Sequence, residues 1–210
     1  MREEGRHTHI EWLSTLLLAM AAIATAWSTY QSAQWRGEQA SNTGKSTAAR
    51  IESSEASTRA GQLTQIDIAT FVQWTDATVG GHPALARFYR ERFRPEFRTA
   101  FDAWILTDPL RNHDVPKTPF AMSEYRVAER TTSAGLDAQA AAHADDAAAA
   151  NHRADSYMLG VVLFATALFF AGISTKLRDE RQRFVVLGMG YIVFLGALVW
   201  LATLPVEFTT

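Results

Sequence analysis

The chain has 210 residues, with 20 Lys and Arg against 22 Asp and Glu, and no cysteine. The net charge of -2 argues against a nucleic-acid partner, and the lack of thiols excludes disulfides, thiol catalysis and cysteine-held metals. A hydrophobic content of 48% looks like that of a soluble domain, but the average hides two populations.

Three long runs are apolar and free of interior charge: Trp12 to Tyr30, Tyr157 to Thr175 and Phe184 to Val206. A bilayer core about 30 Å thick needs roughly 20 apolar residues of helix, and a helix satisfies its own backbone hydrogen bonds there. The expected class is therefore an all-α membrane protein with three transmembrane helices. In chain order we expect a cytoplasmic tail over 1–9, a first span over 10–30 and an extracytoplasmic helical domain over 31–156. A second span over 157–175, a basic loop over 176–183, a third span over 184–206 and an extracytoplasmic tail over 207–210 complete it.

Orientation follows from Lys and Arg beside the spans, which stay on the cytoplasmic side. The loop KLRDERQR carries Lys176, Arg178, Arg181 and Arg183, and the amino terminus adds Arg2 and Arg6. Two other patterns near the start carry less. Met1 to Ala26 has the order of a signal peptide, but its apolar run is too long and continues into Tyr30 and Trp35. Gly44 to Thr47 imitates the end of a phosphate-binding loop, yet Gln39 stands where the first glycine is required and no strand precedes it.

From Gln31 to Val79 no proline interrupts the chain, so a helix continuing out of the first span is expected, despite about 1 kcal/mol lost at each of Gly37, Gly44 and Gly61. Gly80-Gly81-His82-Pro83 ends it. A tip over 83–120 follows, then a returning, alanine-rich helix over 121–156. Both arms are rich in Ala, Ser and Thr, which suits a tight antiparallel hairpin. The first arm has few large apolar residues between Trp35 and Leu63, so little area is gained per hairpin at about 25 cal/mol per Å². That favours a homo-oligomer over a solvated monomeric hairpin.

At the tip, Leu63, Ile66, Ile68, Phe71, Val72 and Trp74 are expected to meet Leu85, Phe88, Tyr89, Phe93, Phe97, Phe101, Trp104 and Ile105 in a small core. Pro95 starts a new helix or kinks this one, and Thr107 to Pro119 reads as an irregular loop. Arg87, Arg90, Arg94 and Arg98 fall at helical spacing, collecting four guanidiniums on one face. They are the candidate contact for anionic lipid, an anion or an acidic protein partner. The simpler account is a solvated charged face, with Glu91, Glu96 and Asp102 as local partners and Asp67 and Asp76 as cross-helix partners.

No histidine pair has metal-ligating helical spacing. His143 and Asp146 could share a helix face but do not make a site, and no cofactor, metal or catalytic residue is expected. The spans hold no central charge, which disfavours a secondary transporter. Their small residues supply packing surfaces: Ala22, Ala26, Ala167, Ala171, Gly188, Gly190 and Gly196. Ser14, Ala22, Thr25 and Ser28 could instead line an oligomeric pore.

The runs TAWSTYQ (Thr25 to Gln31), WRGEQA (Trp35 to Ala40) and RIESSEA (Arg50 to Ala56) resemble an uncharacterised family of small bacterial membrane proteins. FYRERFRPEF (Phe88 to Phe97) and LFATALFFAG (Leu163 to Gly172) are similar as well. The resemblance implies a bacterial cytoplasmic membrane and three spans, and brings no activity. The expected function is a non-enzymatic scaffold or interaction module of oligomeric form. An ion or small-solute pore, and an accessory subunit of another membrane complex, are the alternatives.

Overall fold

The computed structural model describes residues 2–109, 111–112 and 114–207, with side chains from 11 onward. It is all-helical: α1 (Arg2–Val79), α2 (Pro83–Glu91), α3 (Pro95–Ile105), α4 (Ala128–Ser174) and α5 (Glu180–Leu201), with a 3-10 turn at Pro119–Ala121. No strand occurs among the described residues. α1, α4 and α5 are each long and apolar enough to cross a membrane.

Chain punctuation explains the breaks. Gly81 ends α1 in the left-handed region at φ 72°, and the His82 amide donates back to the Ala77 carbonyl at 2.9 Å. Pro83 and Pro95 each stand in the first turn of their helix, where a missing N–H costs nothing. Pro95 also forces Arg94 to an extended ψ of 146°, so α2 cannot run into α3.

Three boundaries differ from the sequence expectation. The returning helix starts at Ala128 rather than 121, because Met122 and Tyr125 turn inward to pack against the tip core. The loop between the last two helices shrinks to 175–179, since the Asp179 carboxylate accepts the Arg181 amide at 3.1 Å and caps α5. α5 stops at Leu201 rather than 206, closing in turns whose amides reach the carbonyls of Leu198, Trp200 and Leu201, ahead of Pro205.

The folded chain divides into two compact units, residues 2–45 with 142–207 and residues 46–141. In the first, Leu17, Ala21, Trp35, Tyr157, Phe164, Ala167, Leu187 and Phe194 belong to one buried cluster. Gly190 is where backbones approach: a Cβ there would lie 3.2 Å from Leu17 and from the Cβ of Phe170. Gly188 and Gly196 face open space, so of the three candidate packing glycines only Gly190 stands at a close approach. Gly160, not anticipated, is tighter, 2.9 Å from a Leu201 methyl.

Several polar groups inside this unit are tied down. The Tyr191 hydroxyl donates to the Leu13 carbonyl at 2.9 Å, and Ser32 Oγ to the Ala154 carbonyl at 3.1 Å. The fully buried Gln31 amide binds the Glu207 backbone twice, donating to its carbonyl at 3.1 Å and accepting its amide at 3.0 Å. With Tyr157 donating to the Pro205 carbonyl at 3.0 Å, this straps the segment after α5 across α1 and α4.

In the second unit α1 and α4 run side by side in opposite directions. Ser46 Oγ donates to the Ala140 carbonyl at 2.8 Å and Ser53 Oγ to the Ser133 carbonyl at 3.0 Å, seven residues forward on one helix and seven back on the other. Burial on α1 repeats with alternating steps of four and three from Asn42 to Ala77. Asn42, Ser46, Ala49, Ser53, Ala56 and Ala60 are covered, and every residue between them is exposed. That is the 3.5-residue period of a left-handed coiled coil, built from small and polar side chains. Gly37, Gly44 and Gly61 lie off this seam and have no neighbour within 4 Å.

Candidate functional site

The end of the second unit is an aromatic core. Phe93, Phe97, Phe101 and Trp104 are buried, with Phe71, Trp74, Phe120, Met122 and Tyr125 packed against them. The rings meet mostly edge to face, as between Trp74 and Phe101 (4.7 Å, 80°) and Phe71 and Trp104 (5.6 Å, 79°). Phe97 instead stacks on Phe120 at 5.0 Å. Of the α1 residues expected here, Phe71 and Trp74 take part, while Ile66, Ile68 and Val72 are exposed. Leu85, Phe88 and Ile105 also remain at the surface, so the core is smaller and more aromatic than the spacing suggested.

Beneath it lies a buried carboxylate. Asp67 is fully enclosed and accepts hydrogen bonds from Arg94 Nε and from the Tyr125 hydroxyl, both at 3.0 Å. This joins α1, the start of α3 and the segment before α4 at one anion. Burial, foremost, and the Asp67 charge push the Tyr125 phenol above its ordinary range.

The four candidate arginines do not share one helical face. α2 ends at Glu91 and α3 begins at Pro95, so Arg87 and Arg90 lie on one helix, Arg94 stands just before the next, and Arg98 follows within it. Arg90 pairs with Asp102 at 2.7 Å. Arg94 turns inward to Asp67 and stands 3.7 Å from Glu96, and Arg98 donates to the Arg90 carbonyl at 2.9 Å. Arg87 is exposed and makes no ion pair among the described residues. Of the acidic partners expected, Asp67, Glu96 and Asp102 are used, whereas Glu91 and Asp76 form no ion pair among the described residues. Arg92, not singled out by spacing, stacks on the exposed Phe88 ring at 3.5 Å.

The other candidate residues lie in the first unit. Ser14 and Ser28 are fully buried, Ser14 beside Ser174 Oγ at 3.3 Å and Ser28 donating to the Ala24 carbonyl. Thr25 donates to the Ala21 carbonyl and is half-buried, while Ala22 and Ala26 are exposed. These residues therefore face different directions around α1. A polar cleft of about 380 Å³ is lined by Trp35, Glu38, Asn42, Asp146, Arg153 and Glu207, with the Arg153 guanidinium 4.5 Å above the Trp35 ring. Asp146 faces it, and His143 is not among its lining residues. Among the described residues no three carboxylate or imidazole groups converge to hold a metal ion.

A second cavity, of about 450 Å³, opens beside the aromatic core of the second unit. Phe71, Trp74 and Trp104 wall it, Val79, Ile105 and Pro109 extend it, and Asp108 and Lys117 bring opposite charges to it. Trp104 is held in place by donating its indole N–H to the Pro116 carbonyl at 2.7 Å. Asp108 adopts a positive φ of 51°, uncommon outside glycine, just before Pro109. Neither Asp108 nor Lys117 could be picked out by sequence, because their loop has no periodicity. Compared with models of protein families, with curated proteins and with solved structures, the chain gives no match.

Proposed function

We propose that the chain is a non-enzymatic integral membrane protein of a bacterial cytoplasmic membrane, whose helical hairpin presents a compact tip outside the cell membrane as a scaffold or interaction module. The observation that carries the reading is on α1: one uninterrupted helix contains both a membrane-length apolar segment and the residues that build the tip core. A tip that exposes Val79 and Leu106, each more than four-fifths accessible, has apolar surface that a partner would cover. Arg87 and the Arg92–Phe88 stack supply the charged part of that contact surface, while Arg94 and Arg98 serve the tip's own cohesion.

The basic loop around Arg178, Arg181 and Arg183 supports a cytoplasmic side for that end, and hence an extracytoplasmic position for the tip. A homo-oligomer remains part of the proposal, although the seam lets each hairpin cover its own small-residue face, so the shared surface is assigned to the exposed tip. No observation favours the pore: Ser14 and Ser28 are enclosed by the helices of their own chain.

The chain has no cysteine, so a single engineered thiol reports alone. Ser54→Cys, at an exposed position, is expected to react with a membrane-impermeant maleimide in intact cells. Reaction only after permeabilisation overturns the orientation. The mass of the detergent-solubilised particle tests assembly, and a monomer at all concentrations removes the oligomer.

A further inference from the structure

The cavity beside the aromatic core has a composition that specifies a ligand class. Its walls are the rings of Phe71, Trp74 and Trp104 with the apolar side chains of Val79 and Ile105. The two threonines on the α1 side add no free donor. Thr75 and Thr78 each donate their hydroxyl to a carbonyl of their own helix, at 2.9 and 2.8 Å. An apolar body is thus what the interior accepts, and the size lies within the ordinary range of small-molecule sites, about 300–1,000 Å³.

The charges decide the rest. Asp108 and Lys117 line the same cavity but are not paired with each other, and neither makes an ion pair with any described residue. Opposite charges held apart around an apolar chamber complement a molecule that carries both signs on one apolar body. Both side chains are exposed, so an amphipathic anion would use Lys117 alone and an amine Asp108 alone, whereas a molecule with both signs uses the two together. We propose that this cavity is a binding site for a free apolar α-amino acid, aromatic ones above all. The side chain lies among the indole and phenyl rings, the ammonium faces Asp108 and the carboxylate faces Lys117. Edge-to-face contact with walls already arranged that way favours an aromatic side chain over an aliphatic one. The inference does not rest on orientation or copy number, since every residue used belongs to the second unit.

The test is titration calorimetry of the full-length protein in detergent with L-phenylalanine as the probe. Saturable binding is expected. It should weaken tenfold or more with 3-phenylpropanoate, with phenethylamine and with N-acetyl-L-phenylalaninamide, which lack one or both charges. Asp108→Asn keeps a residue that tolerates positive φ, and Lys117→Gln changes an exposed side chain, so both should fold while losing tenfold or more in affinity. Thr78→Phe, at an exposed lining position, should fill the chamber and abolish binding with the unfolding temperature unchanged. Absence of saturable binding at millimolar phenylalanine overturns the proposal, and so does equal binding of the singly charged analogues or unchanged affinity in both charge variants. The thiol-labelling result bears on the membrane reading and leaves this outcome untouched.

Discussion

Removing the carboxylate of Asp67 tests the claim that one buried anion holds the tip to α1. Asp67→Ala deletes two charge-assisted hydrogen bonds, each at 3.0 Å, and charged hydrogen bonds contribute about 1.5–3 kcal/mol apiece. The Arg94 side chain is 20% exposed, so water recovers part of its loss, and the lower end of the range applies. The Tyr125 hydroxyl, on a half-buried ring, likewise regains part of its loss. The expected cost is about 3 kcal/mol, within the usual cost of breaking a buried pair. That corresponds to roughly a hundredfold rise in the opening equilibrium of the tip. Hydrogen exchange measures this locally, with the slowest amides of α3 as reporters. Tyr125→Phe should raise their exchange about tenfold, and adding it to Asp67→Ala should do little more, because the shared bond is already gone. Exchange in Asp67→Ala within threefold of the unaltered protein would refute the reasoning.

Alkaline pH should loosen the same region: burial and Asp67 favour the neutral Tyr125 phenol, so its folded pKa exceeds the unfolded value of about 10. The associated stability is complete below about pH 10 and is lost as pH rises through the folded value, and α3 exchange should show this in the unaltered protein but not in Tyr125→Phe. Ser46→Leu places a branched side chain in the close seam opposite Ala140 and should cost about 2 kcal/mol in denaturant unfolding. Gly44→Ala, with nothing within 4 Å, should gain about 0.5–1 kcal/mol from helix propensity. Gly190→Val collides with Leu17 and the Cβ of Phe170 and should cost about 2 kcal/mol in detergent, whereas Gly188→Val should leave thermal unfolding nearly unchanged.

The three long apolar helices and the proline-free arms were legible because hydropathy and proline act locally. The three apolar runs fall on α1, α4 and α5, and Pro95 does open a new helix. The seam was not legible as such, because its period lies in side-chain size. Asn42, Ser46 and Ser53 occupy positions where a coiled coil ordinarily shows Leu or Ile, so an apolar stripe is absent although burial repeats every seven residues. Exposed glycines at 37, 44 and 61, falling between seam positions, were the available signal.

At the tip the difference is one of tertiary geometry. Helical spacing places Arg87, Arg90, Arg94 and Arg98 together only if the helix continues, and Pro95 prevents that by holding Arg94 extended. Once the chain turns there, Arg94 is carried inward to Asp67, 27 residues away, and a charge that looked like a ligand contact becomes part of the frame. The same turn folds α3 back so that Trp104 meets Phe71, which creates a wall of the cavity that Asp108 and Lys117 flank. Arginine spacing pointed to the helices of the tip, whereas the exposed opposite charges beside the cavity stand in its loop. A local pattern cannot register them, because Asp108 and Lys117 are brought to one cavity by the ring packing of α3 and by the hydrogen bond from Trp104 to Pro116.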